Sequence, residues 1–128
     1  MKYLLDTHAF LWFVTGDTRL SRQALATIEN SGNEIFFSAV SAWEITIKNQ
    51  LGRLKIQEDL ELFITNQLVQ NGFRPLSITI IHSINSGNLP LLHKDPFDRI
   101  LISQSVIENM PLISRDTNIK RYDVQLVW

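Results

Sequence analysis

Near its start the chain reads Lys2-Tyr3-Leu4-Leu5-Asp6, an apolar run with the length of a short buried strand that ends on an acid. An apolar run beside an acid recurs at three other places. Those acids are Glu44, after Ile35-Phe36-Phe37, Asp98, before Ile100-Leu101-Ile102, and Asp116, after Leu112-Ile113-Ser114. Because ligands of an open parallel α/β sheet bind outside the carboxyl ends of its strands, we expect these carboxylates to converge on one site.

The rest of the chain alternates predicted strands and helices. The predicted strands cover residues 2–5, 34–37, 73–76, 112–114 and 124–127. The predicted helices cover residues 9–14, 21–30, 40–51, 58–70, 78–86 and 96–108, with Ser21 and Asp95 as N-caps and with Leu25 and Ile28 facing inward. This order predicts one α/β domain over residues 1–128, with a parallel, doubly wound sheet of about five short strands and helices on both faces.

Composition indicates an ordinary soluble globular protein. The chain has 128 residues, 45% of them hydrophobic, and a mean hydropathy of zero. No apolar run approaches the roughly 18 residues that span a bilayer, and Asp6 interrupts the place where a signal peptide needs its apolar core. Since the chain has no cysteine, disulfides and thiolate metal sites are excluded, and we expect a cytoplasmic protein with no membrane partner.

The charge balance is close to neutral. With 12 basic and 13 acidic residues the net charge is −1, without the overall basicity expected of an electrostatic nucleic-acid binder. If a metal neutralises the four acids, the remaining surface becomes net positive. On charge alone, solvated helix faces are the simpler explanation of the basic residues.

A cluster of four carboxylates implies a cation, because like charges in one site resist ionising together and hard divalent cations take oxygen ligands. Each acid also has a structural alternative. Asp6 can cap the following helix, and Glu44 can form a capping box with Ser41 or an i,i+4 ion pair with Lys48.

The stretch Asp95-Pro96-Phe97-Asp98 places two acids at a helix start, where the helix dipole favours negative charge. We assign Asp98 to the metal and give Asp95 a capping or outer role. Asp116 can also cap the turn that follows it. The histidines His8, His82 and His93 show no metal-ligand spacing.

Five motifs together resemble a known family. They are Leu4-Leu5-Asp6-Thr7-His8, Ser38-x-x-Ser41-x-Trp43-Glu44, Leu51-Gly52-Arg53-Leu54, His93-x-Asp95-Pro96-Phe97-Asp98-Arg99-Ile100-Leu101-Ile102 and Leu112-Ile113-Ser114-Arg115-Asp116. In this order they resemble the PIN-domain proteins and, more narrowly, the VapC ribonuclease toxins of prokaryotic type II toxin–antitoxin modules. The resemblance implies that Asp6, Glu44, Asp98 and Asp116 form the family's acidic quartet.

The resemblance further implies an endoribonuclease that depends on Mg²⁺ or Mn²⁺. Asp6 and Asp98 are the expected direct ligands, and Glu44 and Asp116 are expected to act partly through water. Thr7, Ser114 and Asp95 are auxiliary candidates. The implied partners are RNA, a second copy in a homodimer, and a cognate antitoxin whose tail covers the acidic site on an apolar surface supplied by exposed Trp12 and Phe13.

Two rival functions stay open at this point. An aspartyl-phosphate enzyme would use Asp6 as nucleophile, although such sites often carry a second Asp where this chain has His8. A catalytically silent PIN module would only bind RNA or a protein. Intact acids argue against the silent module, and a cleavage assay with and without EDTA distinguishes it from a nuclease.

Overall fold

Strands and helices alternate in the computed structural model, which describes residues 1–128. The strands are β1 (Lys2–Leu5), β2 (Glu34–Ser38), β3 (Arg74–Leu76), β4 (Leu112–Ile113) and β5 (Leu126–Val127). The helices are α1 (Thr7–Thr15), α2 (Arg22–Glu29), α3 (Ala39–Gln50), α4 (Leu60–Asn71), α5 (Ile80–Asn88) and α6 (Pro96–Ile107), and a short 3₁₀ turn covers Ile119–Arg121. None of the helices is both long and apolar enough to cross a lipid bilayer.

The sheet has the order β3-β2-β1-β4-β5, and all its strand pairs are parallel. From β1 the chain builds outward through β2 and β3, then returns to add β4 and β5 on the other side. The strand order therefore reverses between β1 and β4, where Leu5 pairs with Ile113. A crevice at such a reversal, outside the carboxyl ends of the strands, is where open α/β sheets bind ligands.

Helices cover both faces of the sheet, as the alternation predicts. Leu4 and Leu5 are both fully buried but belong to different apolar clusters, because successive strand side chains point to opposite faces. Leu5 packs with residues such as Phe10 and Phe37. Leu4 packs with residues such as Leu101. The predicted doubly wound α/β fold is confirmed.

Most helix boundaries follow the predicted caps. Ser21 accepts a hydrogen bond from the backbone N–H of Ala24, and Asp95 accepts one from Phe97. The prediction that Leu25 and Ile28 face inward is partly wrong, because Ile28 is buried, together with Ala24, whereas Leu25 is exposed. The capping box on Ser41 is also wrong, because α3 begins earlier and Ser38 caps it by accepting from Val40.

Candidate functional site

Two of the predicted acids follow neighbouring strands at the carboxyl edge of the sheet. Asp6 comes directly after β1, and its backbone N–H donates to the carbonyl of Ile113 at 3.1 Å. That bond places Asp6 beside Ser114, whose hydroxyl interacts with the Asp6 carboxylate. The Ser114 oxygen also accepts from the backbone N–H of Asp116 at 3.1 Å. The strand pairing itself therefore brings these two acids to one side of the crevice.

Asp98 reaches the same crevice from the first turn of α6. One ligand atom each from Asp98, Asp116 and His93 lies within 4.8 Å of the other two. The Nε2 of His93 is 2.8 Å from Oδ2 of Asp98. This group combines two carboxylates and an imidazole, the donor types that bind divalent cations, so the residues fit a metal site.

Glu44 approaches from α3 and is only 3% exposed. Its Oε1 lies 2.6 Å from the hydroxyl oxygen of Thr7, and its Oε2 lies 2.6 Å from Nζ of Lys48. Both oxygens are thus engaged, and Lys48 supplies a positive charge at the site. Glu44 is close enough to Asp98 to raise the pKa of that carboxyl. The i,i+4 ion pair exists, and it lies beside the acidic cluster.

Asp6 caps a helix and also lies beside the other acids. Its Oδ1 accepts a hydrogen bond of 2.7 Å from the backbone N–H of Ala9, which caps α1. Its side chain is nevertheless buried, and burial raises its pKa to about 6, with a smaller contribution from the nearby charge of Asp116. The capping interpretation of Asp6 is therefore correct and does not exclude a place in the site.

Burial is the largest of several effects that together raise the pKa of Asp98 to about 7. The charges of Asp95, Asp116 and Glu44 add to this increase, and the hydrogen bond from His93 opposes it. A carboxyl that resists ionisation in this way is most easily charged when a cation is bound beside it. Both shifts mark the cluster as a candidate functional site.

His93 is the residue that sequence reasoning missed. Its only sequence signal is its position in His93-x-Asp95-Pro96-Phe97-Asp98, which does not match a helical ligand spacing. Asp95 itself caps α6 through Phe97 and Asp98 and does not belong to the group within 4.8 Å. Asp6 and Glu44 also lie outside that group.

A cavity of about 450 Å³ adjoins the acids. Its lining includes two acids, Asp6 and Asp116, and two arginines, Arg19 and Arg115. Both guanidinium groups stack over Trp12, at 5.0 Å for Arg19 and 4.5 Å for Arg115 from the ring centroid. The cavity lining therefore combines acidic and basic side chains, which are suited to a cation and to a phosphate respectively.

Trp12 and Phe13 are not the exposed aromatic pair that we expected. Trp12 is 9% exposed, with the two arginines over its ring and Trp128 packed against its edge, and Phe13 packs against the core beside Phe73. Apolar surface near the acids is found instead in an adjoining cavity of about 660 Å³. Its apolar lining is Leu11, Trp12, Leu54, Ile56 and Phe63, and its basic lining includes Arg19, Lys48, Arg53 and Lys55.

Together the fold and the cluster define a class: parallel α/β domains that gather carboxylates for a divalent cation at the carboxyl edge of the sheet. The family model of the PIN domain matches residues 3–125. The chain belongs to the PIN-domain family.

A relative and several solved structures agree with this assignment. Ribonuclease VapC16 of Mycobacterium tuberculosis is 34% identical over 58 residues, which are 45% of this chain and 41% of that protein. The crystal structure of VapBC2 from Rickettsia felis, bound to a DNA fragment from their promoter, superposes with a TM-score of 0.73 at 17% identity, covering 98% of this chain and 97% of that chain. FitAcB from Neisseria gonorrhoeae gives 0.62 at 15% identity, covering 98% and 96%. At these identities the solved structures show the shared fold alone.

Proposed function

We propose that this protein is a metal-dependent endoribonuclease of the VapC type, the toxin of a toxin–antitoxin pair. The observation that carries the proposal is the convergence of Asp6, Glu44, Asp98 and Asp116 with His93 at the edge of a PIN-domain sheet. The name and partial identity of the mycobacterial ribonuclease support the activity.

The acids would differ in how they contact the cation. We expected Asp6 and Asp98 as the direct ligands. The shared ligand group instead supports Asp98 and Asp116 in that role, with Asp6 contacting the cation or its bound water from the adjoining cavity. Glu44 would act through water, since Thr7 and Lys48 already engage both of its oxygens. Mg²⁺ or Mn²⁺ bound there would polarise the scissile phosphate and lower the pKa of an attacking water.

The basic residues would position the RNA backbone. Arg19 and Arg115 line the same cavity as Asp6 and Asp116, so a phosphate beside the reacting one can contact them. Arginine binds phosphate oxygens through paired N–H donors, and such contacts position a strand without reading its sequence. Ser114 and Thr7 would orient water or carboxylate oxygens beside the acids.

We also propose an antitoxin partner and a homodimer. The structural neighbours VapBC2 and FitAcB support a protein partner. The 660 Å³ cavity offers an apolar surface with a basic rim next to the acids, where an antitoxin tail can bind. A second copy would cover the exposed isoleucines of α5, which are Ile80, Ile81 and Ile84.

RNA cleavage by the purified protein tests the activity. Total RNA is incubated with Mg²⁺, with Mn²⁺ and with EDTA, and the Asp98→Asn variant is assayed in parallel. Cleavage that needs a cation and is lost in the variant supports the proposal. Intact RNA under all conditions, from a folded protein, would favour a silent binding module.

Growth experiments test the toxin assignment, and solution mass tests the dimer. Expression without a partner should arrest growth, and co-expression with a cognate antitoxin should restore growth and yield a stable complex. A chain that is harmless when overexpressed contradicts the toxin assignment.

Light scattering of wild type and of Ile81→Lys should show a dimer that the substitution weakens. A monomeric wild type contradicts the dimer.

A further inference from the structure

The backbone of His93 is fixed on both sides by buried groups. Its N–H donates to the Tyr122 hydroxyl oxygen at 2.9 Å, and its carbonyl accepts from Nη1 of Arg99 at 3.2 Å. The Tyr122 hydroxyl in turn donates to the carbonyl of Pro90 at 2.7 Å. The segment before α6 is therefore tied to the core at the residue that enters the acidic site.

Arg99 is the centre of this arrangement and is 8% exposed. Its guanidinium nitrogens contact five neutral oxygens at distances between 2.9 and 3.2 Å, two from Nη2 and three from Nη1, which has two hydrogens and therefore shares one of them between acceptors. The acceptors are the carbonyls of Ser86, Leu89, Pro90 and His93 and the hydroxyl of Tyr122. Because these hydrogen bonds fix the backbone of His93, the His93 side chain is preorganised, as metal ligands in proteins are.

The side chain of His93 completes the geometry. Nε2 is 2.8 Å from Asp98 Oδ2 and belongs to the group within 4.8 Å that includes Asp116. An imidazole nitrogen at this place gives the cation a ligand that differs chemically from every carboxylate around it. Imidazole suits transition metals, whereas Mg²⁺ is best satisfied by carboxylate, carbonyl and water oxygens.

We propose that His93 is a nitrogen ligand of the cation at this site and gives the site a preference for divalent transition metals over Mg²⁺. The inference rests on the proposed metal site and specifies its ligand set and its selectivity. Arg99 and Tyr122 are positioning residues in this account, because they act on the cation only through His93.

Cation binding to the full chain, without RNA, tests the preference. Free Mn²⁺ is followed by electron paramagnetic resonance during titration, and Mg²⁺ affinity is obtained by competition. His93→Ala should weaken Mn²⁺ binding by about tenfold or more and Mg²⁺ binding much less, so that the preference falls. In His93→Gln, an amide oxygen in place of the imidazole should shift the preference toward Mg²⁺. His8→Ala is the matched control, because His8 lines the cavity of about 450 Å³ beside the acids but lies outside the ligand group.

Nitrogen coupling gives a second readout that a purely structural histidine would not produce. Electron spin echo modulation of the wild-type Mn²⁺ complex should contain a coordinated ¹⁴N signal, which His8→Ala keeps and both His93 variants lose. A wild-type complex without that signal, or an unchanged preference in His93→Ala, overturns the inference. If Asp116→Asn still abolishes binding of both cations in that case, the proposed metal site stands. If wild type binds neither cation, both proposals are wrong.

Discussion

Asp98 and Arg99 are neighbours on α6, carry opposite charges and are both largely buried, yet the groups that surround the two side chains differ. The Arg99 guanidinium donates to five oxygens of the surrounding chain. The Asp98 carboxylate is hydrogen-bonded by the single side chain of His93, faces other acids, and has its pKa raised to about 7. The Arg99 guanidinium is hydrogen-bonded by the surrounding chain, whereas the Asp98 carboxylate lies among like charges.

This difference separates a structural charge from a functional one. A buried charge with its hydrogen bonds satisfied stabilises one arrangement of the chain, and its removal leaves several buried acceptors without donors. A buried charge among like charges costs free energy until a ligand of opposite sign arrives. We therefore expect substitutions at Arg99 to change stability and substitutions at Asp98 to change cation binding and activity.

The largest expected effect is on catalysis. Asp98→Asn and Asp116→Asn should lower metal-dependent RNA cleavage by about a thousandfold or more, equivalent to about 4 kcal/mol, because a bound metal contributes several kcal/mol to the transition state. Asp6→Asn and Glu44→Gln should also lose activity strongly. Initial rates on total RNA measure the loss, with circular dichroism to verify folding. Asp59→Asn is the matched control, since Asp59 only caps α4 and Asn caps equally well. Near-wild-type activity in Asp98→Asn contradicts the assignment.

Arg99→Met should lower the free energy of unfolding by about 3 kcal/mol, because it leaves buried carbonyls and the Tyr122 hydroxyl without their donor. Urea unfolding followed by circular dichroism measures the change. Arg22→Met provides the control, because Arg22 is exposed on α2. Equal stabilities for the two variants would show that the Arg99 hydrogen bonds are not structural.

Cation binding should stabilise the folded protein, whose site the unfolded chain lacks. At 100 times its dissociation constant, Mn²⁺ or Mg²⁺ should add about 2.7 kcal/mol to the free energy of unfolding. Thermal melts with each cation and with EDTA measure the shift, and Asp116→Asn should lose it. A wild-type midpoint that no cation raises would indicate that the acids serve only as caps.

The stability of the metal-free protein should fall as pH rises, whereas a salt-bridged acid makes stability rise with pH. Because Asp6 and Asp98 have pKa values raised from 3.8 to about 6 and about 7, their neutral forms favour the folded state. Stability should therefore fall as pH rises from about 4 to about 7. Asp17, lowered to about 2 by its hydrogen bonds with Arg19, loses its contribution only below about pH 4, outside this window.

Melts in EDTA at pH 5.5 and 7.5 test this dependence. Wild type should melt higher at pH 5.5, and Asp98→Asn should show a smaller difference and melt at or above wild type at pH 7.5. A variant that melts well below wild type at pH 7.5 would place Asp98 with Arg99 as a structural charge.

The smallest effect is expected at Asp95. Its carboxylate accepts from the N–H groups of Phe97 and Asp98, and asparagine can make the same cap. Asp95→Asn should change stability by a few tenths of a kcal/mol and cleavage much less than Asp98→Asn, whereas Asp95→Ala should cost about 1 kcal/mol. Unfolding and cleavage assays on both variants measure this. A loss of activity in Asp95→Asn as large as that in Asp98→Asn would place Asp95 in the metal site.

Local signals were sufficient for much of the fold. The apolar run before Asp6 and the caps at Ser21 and Asp95 each depend on residues close in sequence, so they could be predicted without knowing the tertiary structure. Leu25 was misplaced because packing, and not apolar character alone, sets the buried face of α2: Ala24 and Ile28, four residues apart on one side of the helix, lie in the core and leave Leu25 exposed.

The sequence by itself determined which acids end strands or begin helices, and the parallel sheet then brought Asp6 beside Ser114 and Asp116. Only the tertiary structure placed His93 in the acidic site, because its backbone is held by Tyr122, which is 29 residues away along the chain. The same reason applies to Trp12, which was expected to be exposed but has Arg19 and Arg115 over its ring. Strand ends and caps are set by short-range propensity and pairing, whereas a side chain's final partner depends on which distant segments pack around it.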